Sequence, residues 1–134
     1  MDKSELIKRA TTVQQNAYAP YSNFSVGAAL LTKSGKIFTG CNVENISFRL
    51  TVCAEEAAVA AAISGGEKEF VAIAVVTDSN EPAMPCGGCR QVLAEFNPDI
   101  EIITATTNGR SQTVLLSELL PSPKQGILES FKNV

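Results

Sequence analysis

The sequence predicts an α/β domain in which helices pack on a mostly mixed or parallel sheet. Segments with helical periodicity alternate along the chain with short β-branched runs, in the order α-β-β-α-β-α-β-β-α. The chain has 134 residues, of which 45% are hydrophobic and 19% are charged. This length and composition predict one compact domain over 1–134 and exclude a disordered chain.

The chain begins with a predicted helix, which a hairpin follows. Apolar residues recur at helical spacing over 4–17, Ser4 is a candidate cap, and Pro20 ends the helical pattern. Two strand-like runs, 25–32 and 36–42, flank a Lys-Ser-Gly segment with the composition of a tight turn. We therefore expect the first two strands to pair antiparallel.

The rest of the chain alternates between helices and strands. An alanine-rich segment over 52–64 predicts the second helix, and the glycine pair after it predicts its end. The next run, 70–77, is apolar at nearly every position, as in a strand that is buried on both faces. The remaining predicted elements are a helix over 87–96, strands over 100–106 and 112–116, and a short last helix over 126–134.

Charge and residue usage exclude several classes of function. The formal net charge is −3, the chain has no histidine, and it shows no run of lysine or arginine. We therefore expect no basic face for nucleic acid, and the missing histidine excludes a histidine-based catalytic triad or metal ligand. No apolar segment reaches the roughly 18 residues that span a bilayer. The N-terminus also lacks the blocks of a signal peptide. We expect a cytoplasmic protein that binds neither nucleic acid nor membranes.

Three of the four cysteines lie near predicted helix starts. Cys53 opens the alanine-rich helix, and Cys86 and Cys89 form a Cys-x-x-Cys pair directly after Pro85. Such a pair alone fits either a redox site or half of a metal site. The third cysteine favours zinc, because thiolates bind Zn²⁺ well and three protein ligands leave the fourth position open for water.

Glu55 follows Cys53 by two residues in the first turn of the same helix. Residues at this spacing do not share a helix face, so Glu55 can point into a pocket beside the metal without binding it. A carboxylate there is suited to take a proton from metal-activated water and pass it on. Three alternatives stay open: buried thiols without metal, a closed structural zinc site with Cys41 as fourth ligand, and Glu55 as an ordinary acid at a helix N-terminus.

Several motifs match the zinc deaminase pattern, which is His- or Cys-x-Glu followed by Pro-Cys-x-x-Cys. The chain reads Cys53-Ala54-Glu55 and then Pro85-Cys86-Gly87-Gly88-Cys89. The other matching segments are Tyr18 to Ala29, Asn42-Val43-Glu44-Asn45, Leu50 to Glu55, Cys89-Arg90-Gln91-Val92 and Leu119-Leu120-Pro121. On these residues, the chain resembles the small homotetrameric zinc-dependent cytidine deaminases over 5–121.

The resemblance implies a three-layer α/β/α sandwich around a five-stranded mixed sheet. It implies one zinc ion per subunit, held by Cys53, Cys86 and Cys89, and proton transfer by Glu55. The implied reaction is hydrolysis of cytidine or deoxycytidine to uridine or deoxyuridine with release of ammonia, in pyrimidine salvage. The implied assembly is a homotetramer with its active sites near subunit interfaces.

Four further residues are implied to bind the substrate. In the family pattern, Phe24 lines the base pocket, the Ala54 backbone holds the base, and Asn42 and Glu44 bind the ribose hydroxyls. Without the resemblance, Asn42 and Glu44 also fit ordinary turn chemistry at a strand end. A carboxylate accepts hydrogen bonds from sugar hydroxyls but repels phosphate, which favours a free nucleoside over a nucleotide.

The sequence departs from the family pattern around the expected site. Glu56 stands where the family usually has an arginine that offsets the charge of the ligand sulfurs, and Arg49 stands where glycine is usual. We expect Arg49 or Arg90 to supply the compensating charge, and Glu56 to point away or to pair with Arg49.

Two more departures affect the pocket rim, since Phe48 replaces a common tyrosine and Lys124 occupies the place of an aromatic that closes the base pocket. The alternative substrates are therefore N4-modified cytidine and blasticidin S. A zinc-stabilised binding protein without turnover is the alternative from a different class.

Overall fold

The computed structural model describes residues 1–123, which form a five-stranded mixed sheet with helices on both faces. In chain order the elements are α1 (Lys3–Gln14), β1 (Val26–Thr32), β2 (Ile37–Cys41), a 3₁₀ turn (Phe48–Leu50), α2 (Ala54–Ser64), β3 (Phe70–Thr77), α3 (Gly87–Phe96), β4 (Glu101–Thr106), β5 (Ser111–Leu115) and α4 (Leu116–Leu119). The strand order is β2-β1-β3-β4-β5. Only β3 and β4 pair in parallel among these strands, so the α/β class and the mixed sheet are confirmed.

Each predicted helix and strand within the described residues is present, although the ends of α1 differ from the prediction. Asp2 caps this helix by accepting a hydrogen bond from the backbone N of Glu5 at 3.3 Å, so the expectation of a Ser4 cap is wrong. The helix ends at Gln14 rather than at residue 17, since the chain soon bonds to a strand end: Tyr18 N donates to Asn42 O at 3.0 Å. The predicted helix 126–134 lies outside the described residues.

Alternate residues of the central strand enter two separate hydrophobic clusters. Ile73 and Val75 of β3 pack with residues of α2 and α3, whereas Ala72, Ala74 and Val76 pack with Leu6 and Ala10 of α1. The strand is therefore buried on both faces, as its apolar run predicted. The helices form one layer on each side of the sheet.

Two glycines allow helices to approach the sheet closely. A Cβ atom at Gly27 of β1 would lie 2.0 Å from the carbonyl oxygen of Ala10 in α1. A Cβ atom at Gly40 of β2 would lie 2.4 Å from the backbone N of Ala58 and 2.6 Å from the carbonyl oxygen of Ala54, both in α2. The contact at Gly40 places the first turn of α2 against the end of β2.

The helices of residues 1–123 are too short or too polar to serve as membrane spans.

Candidate active site and metal centre

Three cysteine sulfurs meet between the starts of α2 and α3. Cys53 is the N-cap of α2, Cys86 is the N-cap of α3, and Cys89 lies in the first turn of α3. Their Sγ atoms lie within 4.8 Å of one another. A tetrahedral zinc with Zn–S bonds of about 2.3 Å holds its sulfurs about 3.8 Å apart. A modest contraction of the three side chains would therefore fit them around one zinc ion.

Within residues 1–123, the group of possible metal ligands consists of these three side chains. Cys41 does not belong to it among the described residues, which removes the alternative of a closed four-cysteine site there. The four cysteines are free, so no disulfide joins Cys86 to Cys89. Three thiolate ligands leave one tetrahedral position open, as in catalytic zinc sites.

The thiols of Cys53 and Cys89 interact directly. A hydrogen bond with Cys89 lowers the pKa of Cys53, while burial and the negative charges of Glu55 and Glu56 oppose this effect. The same contact, together with burial, raises the pKa of Cys89. The pKa of Cys53 thus shifts down and that of Cys89 shifts up, and zinc binding would require both thiols to lose their protons.

Glu55 is buried beside the three sulfurs, with only 5% of its surface exposed. Burial raises the pKa of its carboxyl, since a charged group in an apolar site loses hydration. Hydrogen bonds from its own backbone and from Cys89 act in the opposite direction. Glu55 does not belong to the possible metal-ligand group of the described residues. It is thus a carboxyl of raised pKa placed next to the ligands, as proton transfer requires.

A largely apolar cavity of about 230 Å³ opens beside these groups. The residues that line it are Phe24, Val26, Asn42, Thr51, Cys53, Ala54, Glu55, Val75, Thr77, Ala83, Met84 and Cys86. The structure thus brings three of the expected substrate residues, Phe24, Asn42 and Ala54, together with the thiols and Glu55. The expectation that these residues share one pocket agrees with this geometry.

The side chain of Asn42 bonds the backbone of Phe24 and Val26, which both line the cavity. Its Nδ2 donates to the carbonyl oxygen of Phe24 at 2.8 Å, and its Oδ1 accepts from the backbone N of Val26 at 2.9 Å. The residue is buried, with 7% of its surface exposed. Asn42 therefore holds the backbone in place between Phe24 and Val26, the first residue of β1.

Glu44 lies outside the lining of this cavity. Its Oε1 accepts from the backbone N atoms of Tyr21 and Ser22 at 2.9 and 3.2 Å, and its Oε2 accepts from the Ser22 hydroxyl. The hydroxyl bond is the main reason why the pKa of Glu44 is lowered. In the structure, Glu44 holds the segment that precedes Phe24.

The charged departures from the family pattern take positions that the sequence did not predict. Glu56 interacts with the Cys53 thiol, and within residues 1–123 no ion pair joins it to Arg49, so the expectation that Glu56 points away or pairs with Arg49 is wrong. Arg49 and Phe48 are exposed in the 3₁₀ turn. Arg90 donates to two backbone carbonyl oxygens rather than to a sulfur. Lys124 lies outside the described residues.

About half of the residues that line the cavity were not predicted from the sequence. Apolar side chains come from β1 and β3, and Ala83 and Met84 come from the loop before Pro85. Thr77 is the last residue of β3, and ligands of α/β sheets bind beyond the carboxyl ends of strands. That rule would have identified Thr77, whereas nothing in the local pattern distinguishes Ala83 or Met84 from ordinary loop residues.

Comparisons with known proteins agree on one family. A family model described as "Cytidine and deoxycytidylate deaminase zinc-binding region" matches residues 1–106. The chain is 49% identical over 122 residues to a cytidine deaminase of Halalkalibacterium halodurans, covering 90% of this chain and 92% of the relative. Its fold matches the crystal structure of cytidine deaminase from Burkholderia pseudomallei with a TM-score of 0.87 and 46% identity, covering 91% of this chain and 98% of that chain.

A second solved structure extends this result. Cytidine deaminase from Mycobacterium tuberculosis matches with a TM-score of 0.79 and 42% identity, covering 95% of this chain and 99% of that chain.

Proposed function

This chain belongs to the cytidine and deoxycytidylate deaminase family, and from that membership we propose that it hydrolyses cytidine and deoxycytidine. Water replaces the exocyclic amino group of the base, and the products are uridine or deoxyuridine and ammonia. The observation that carries this proposal is the meeting of three cysteine sulfurs and one buried carboxyl at an apolar cavity. This set of groups combines a three-sulfur zinc site with a proton carrier.

We propose that Cys53, Cys86 and Cys89 hold one zinc ion per subunit. When bound, zinc supplies the Lewis acidity that makes water nucleophilic at neutral pH. Glu55 would take one proton from the attacking water and deliver it to the ring nitrogen N3, and would then carry the second proton of that water to the amine, which leaves as ammonia. Its burial beside Cys53 and Cys86 supports this role, because an enclosed carboxyl exchanges protons with substrate rather than with solvent.

The cavity also supports the proposed substrate contacts. Phe24 and the apolar residues from β1 and β3 exclude water and provide a surface for the flat base, while the Ala54 backbone borders the cavity beside Glu55. Asn42 keeps one amide hydrogen beyond the bond it donates to Phe24. We propose that this hydrogen and the remaining lone pairs of Glu44 bind the ribose hydroxyls.

We propose that Arg49 offsets part of the negative charge of the metal centre. Among the described residues, no carboxylate lies within ion-pair distance of the Arg49 guanidinium. Its charge is therefore not neutralised by an ion pair there. Glu56 adds a negative charge beside Cys53, which increases the need for a cation. Arg49→Ala should weaken zinc retention, and unchanged zinc affinity in that variant would contradict this role.

We propose that the chain assembles as a homotetramer with its active sites near subunit interfaces. The support is an exposed apolar segment between β2 and α2, in which Ile46 is 82% exposed, Phe48 78% and Leu50 56%. Such a cluster on a small protein is typical of an association surface. Light scattering should give about four times the 14.2 kDa chain mass, and Phe48→Ser should shift the protein to smaller species.

We propose that the protein works in the cytoplasm. The four cysteines are free, and a site that needs three thiolates depends on a reducing compartment. Localisation of a tagged full-length chain by microscopy tests this, and a periplasmic or secreted distribution would contradict it.

A substrate panel tests the proposed reaction. Purified protein with measured zinc content is assayed for ammonia release with cytidine, deoxycytidine, N4-methylcytidine, blasticidin S and adenosine. We expect turnover of the first two. Turnover of N4-methylcytidine or blasticidin S alone would identify the alternative substrate class, and zinc binding without any turnover would identify a binding protein.

Glu55→Gln tests the proton carrier within the same assay. We expect kcat to fall by a factor of about 10² to 10⁴ while zinc content stays unchanged. Glu69→Gln is the control, since Glu69 is an exposed acid between α2 and β3 that does not line the cavity. Equal losses in the two variants would contradict a specific role for Glu55.

A further inference from the structure

Arg90 connects three parts of the chain around the metal centre. It follows Cys89 in α3 and is half-buried. Its Nε donates to the carbonyl oxygen of Pro85 at 2.8 Å, and its Nη1 donates to the carbonyl oxygen of Leu119 at 3.2 Å. Pro85 directly precedes Cys86, and Leu119 is the last residue of α4.

The bond to Pro85 acts on the position of Cys86. A peptide group is planar, so the carbonyl oxygen of Pro85 and the Cα atom of Cys86 lie in one rigid unit. Cys86 is exposed, whereas Cys89, in the first turn of α3, is fully buried. Packing therefore holds Cys89, but Cys86 depends on backbone hydrogen bonds for its position.

Those backbone bonds come from the first turn of α3. The Cys86 Sγ accepts from the backbone N of Cys89 at 3.4 Å, and the Cys86 carbonyl oxygen accepts from the backbone N of Arg90 at 2.9 Å. These two bonds fix Cys86 from the helix side. The Arg90 side chain fixes the same residue from the loop side, so the Cys86 backbone is held at both ends.

We propose that Arg90 is a positioning residue for the metal centre, which sets Cys86 through the Pro85 carbonyl by geometry rather than by charge. The guanidinium presents several donors in a rigid plane, which lets one side chain bond two carbonyl oxygens in different directions. A lysine keeps the charge but has a single flexible ammonium group. This inference rests on the proposed function, since it requires that the three cysteines bind zinc.

The experiment compares Arg90→Lys and Arg90→Gln with the wild-type chain. Metal-free full-length protein is titrated with Zn²⁺ against a chromophoric chelator, and with Co²⁺ to record the thiolate-to-metal charge-transfer absorption. We expect both variants to lose zinc affinity by a factor of about 10 to 100, as loss of a supporting contact outside the ligands does. We also expect the charge-transfer absorption to weaken in both, because one sulfur is displaced.

Gln91→Met is the matched control. Gln91 lies next to Arg90 and also bonds a carbonyl oxygen beyond α4, with its Nε2 3.3 Å from the oxygen of Pro123. It makes no bond to Pro85 among the described residues. We expect this variant to bind zinc and cobalt as the wild type does.

The outcomes separate the possible roles of Arg90. Wild-type affinity and spectrum in Arg90→Lys, with a loss only in Arg90→Gln, would show a charge effect and overturn the inference. An equal loss in Gln91→Met would overturn it as well, because the shared cause would then be attachment of the segment after α4. Circular dichroism of the metal-free variants checks folding, and Arg90→Lys, which keeps the charge, carries the test by itself: wild-type zinc affinity in this variant overturns the inference. Failure of the wild-type chain to bind zinc would contradict the proposed function instead.

Discussion

Helix α1, on one face of the sheet, runs in the opposite direction to α2 and α3 on the other face. The candidate active site lies only on the face of α2 and α3. On the first face, the C-terminal end of α1 reaches the edge where β3 ends: Gln14 Nε2 bonds the Ser25 carbonyl and the Asp78 carboxylate at 2.9 and 3.2 Å. On the second face, α2 and α3 begin at that edge, with Cys53 and Cys86 as their N-caps.

The polarity of the helices explains this difference. The N-terminus of a helix carries partial positive charge, which stabilises thiolates, whereas the C-terminus carries partial negative charge. The two converging N-termini of α2 and α3 therefore favour a cation site with thiolate ligands. Helix α1 packs on the sheet, but the end that it presents at this edge carries partial negative charge and does not stabilise thiolates. Substitutions on the second face should alter zinc binding and catalysis, and substitutions on the first face should alter stability alone.

The largest effect should come from a ligand on the second face. Cys89→Ser should lower zinc affinity by more than about 100-fold, since even a contact outside the ligands contributes 10- to 100-fold, and turnover should fall with it. Zinc content after dialysis and ammonia release measure these losses. Cys41→Ser is the matched control, because Cys41 lies outside the ligand group of the described residues. Loss of zinc in the Cys41 variant would contradict the three-ligand site.

A core substitution on the first face should change only stability. Leu6 of α1 is 1% exposed, and Leu6→Ala should lower the free energy of unfolding by about 3 kcal/mol through lost burial and the resulting cavity. Denaturant unfolding measures the loss. Zinc affinity and turnover per folded molecule should stay at the wild-type values. A change in zinc affinity with α1 still folded would show that the two faces are coupled.

The two close-packed glycines give a direct comparison between the faces. Gly40→Ala and Gly27→Ala each force a helix away from the sheet, since the added Cβ would meet backbone atoms at 2.4 and 2.0 Å. Each should cost about 1 to 3 kcal/mol of stability. Only Gly40→Ala should also weaken zinc retention, because it displaces the first turn of α2, where Cys53 lies. Equal zinc affinities in the two variants would contradict this division.

The smallest effect concerns the segment before Phe24, which Glu44 holds by hydrogen bonds. Hydrogen bonds from Ser22 and Tyr21 lower the pKa of Glu44 below its usual value of 4.5. The stabilisation from the ionised carboxyl is therefore present above pH 4.5 and is lost as the pH falls through the lowered pKa. Wild type should melt at a higher temperature than Glu44→Gln at neutral pH, and the difference should shrink below that value. A difference that stays constant with pH would contradict the ionised contact.

Much of the fold followed from local patterns. The apolar run over β3, the turn between β1 and β2, and the alanine-rich α2 each have a strong signal within a few residues. The prediction of the ends of α1 was less accurate, because tertiary hydrogen bonds of Gln14 and Tyr18 decide where this helix stops. The strand order β2-β1-β3-β4-β5 depends on contacts between distant segments, which local periodicity does not contain.

The candidate site shows the same division between local and distant information. The spacing of Cys53, Cys86 and Cys89 predicted a three-cysteine group, and the structure places their sulfurs together. The orientation of Glu56 was predicted wrongly, since the contact with Cys53 depends on how the α2 start is turned. The bonds of Arg90 to Pro85 and Leu119 were equally unpredictable from the pattern around Cys89.

The sequence by itself determined which chemical groups the protein has: three thiols near helix starts, one acid beside them, no histidine, and a net charge of −3. Tertiary structure decided which of these groups meet, which direction each side chain takes, and which cations are already bound to backbone oxygens. The physical reason is that residue type and short-range periodicity are properties of neighbouring residues. The burial of Glu55 and the bonds of Arg90, in contrast, arise only when segments far apart in sequence pack together.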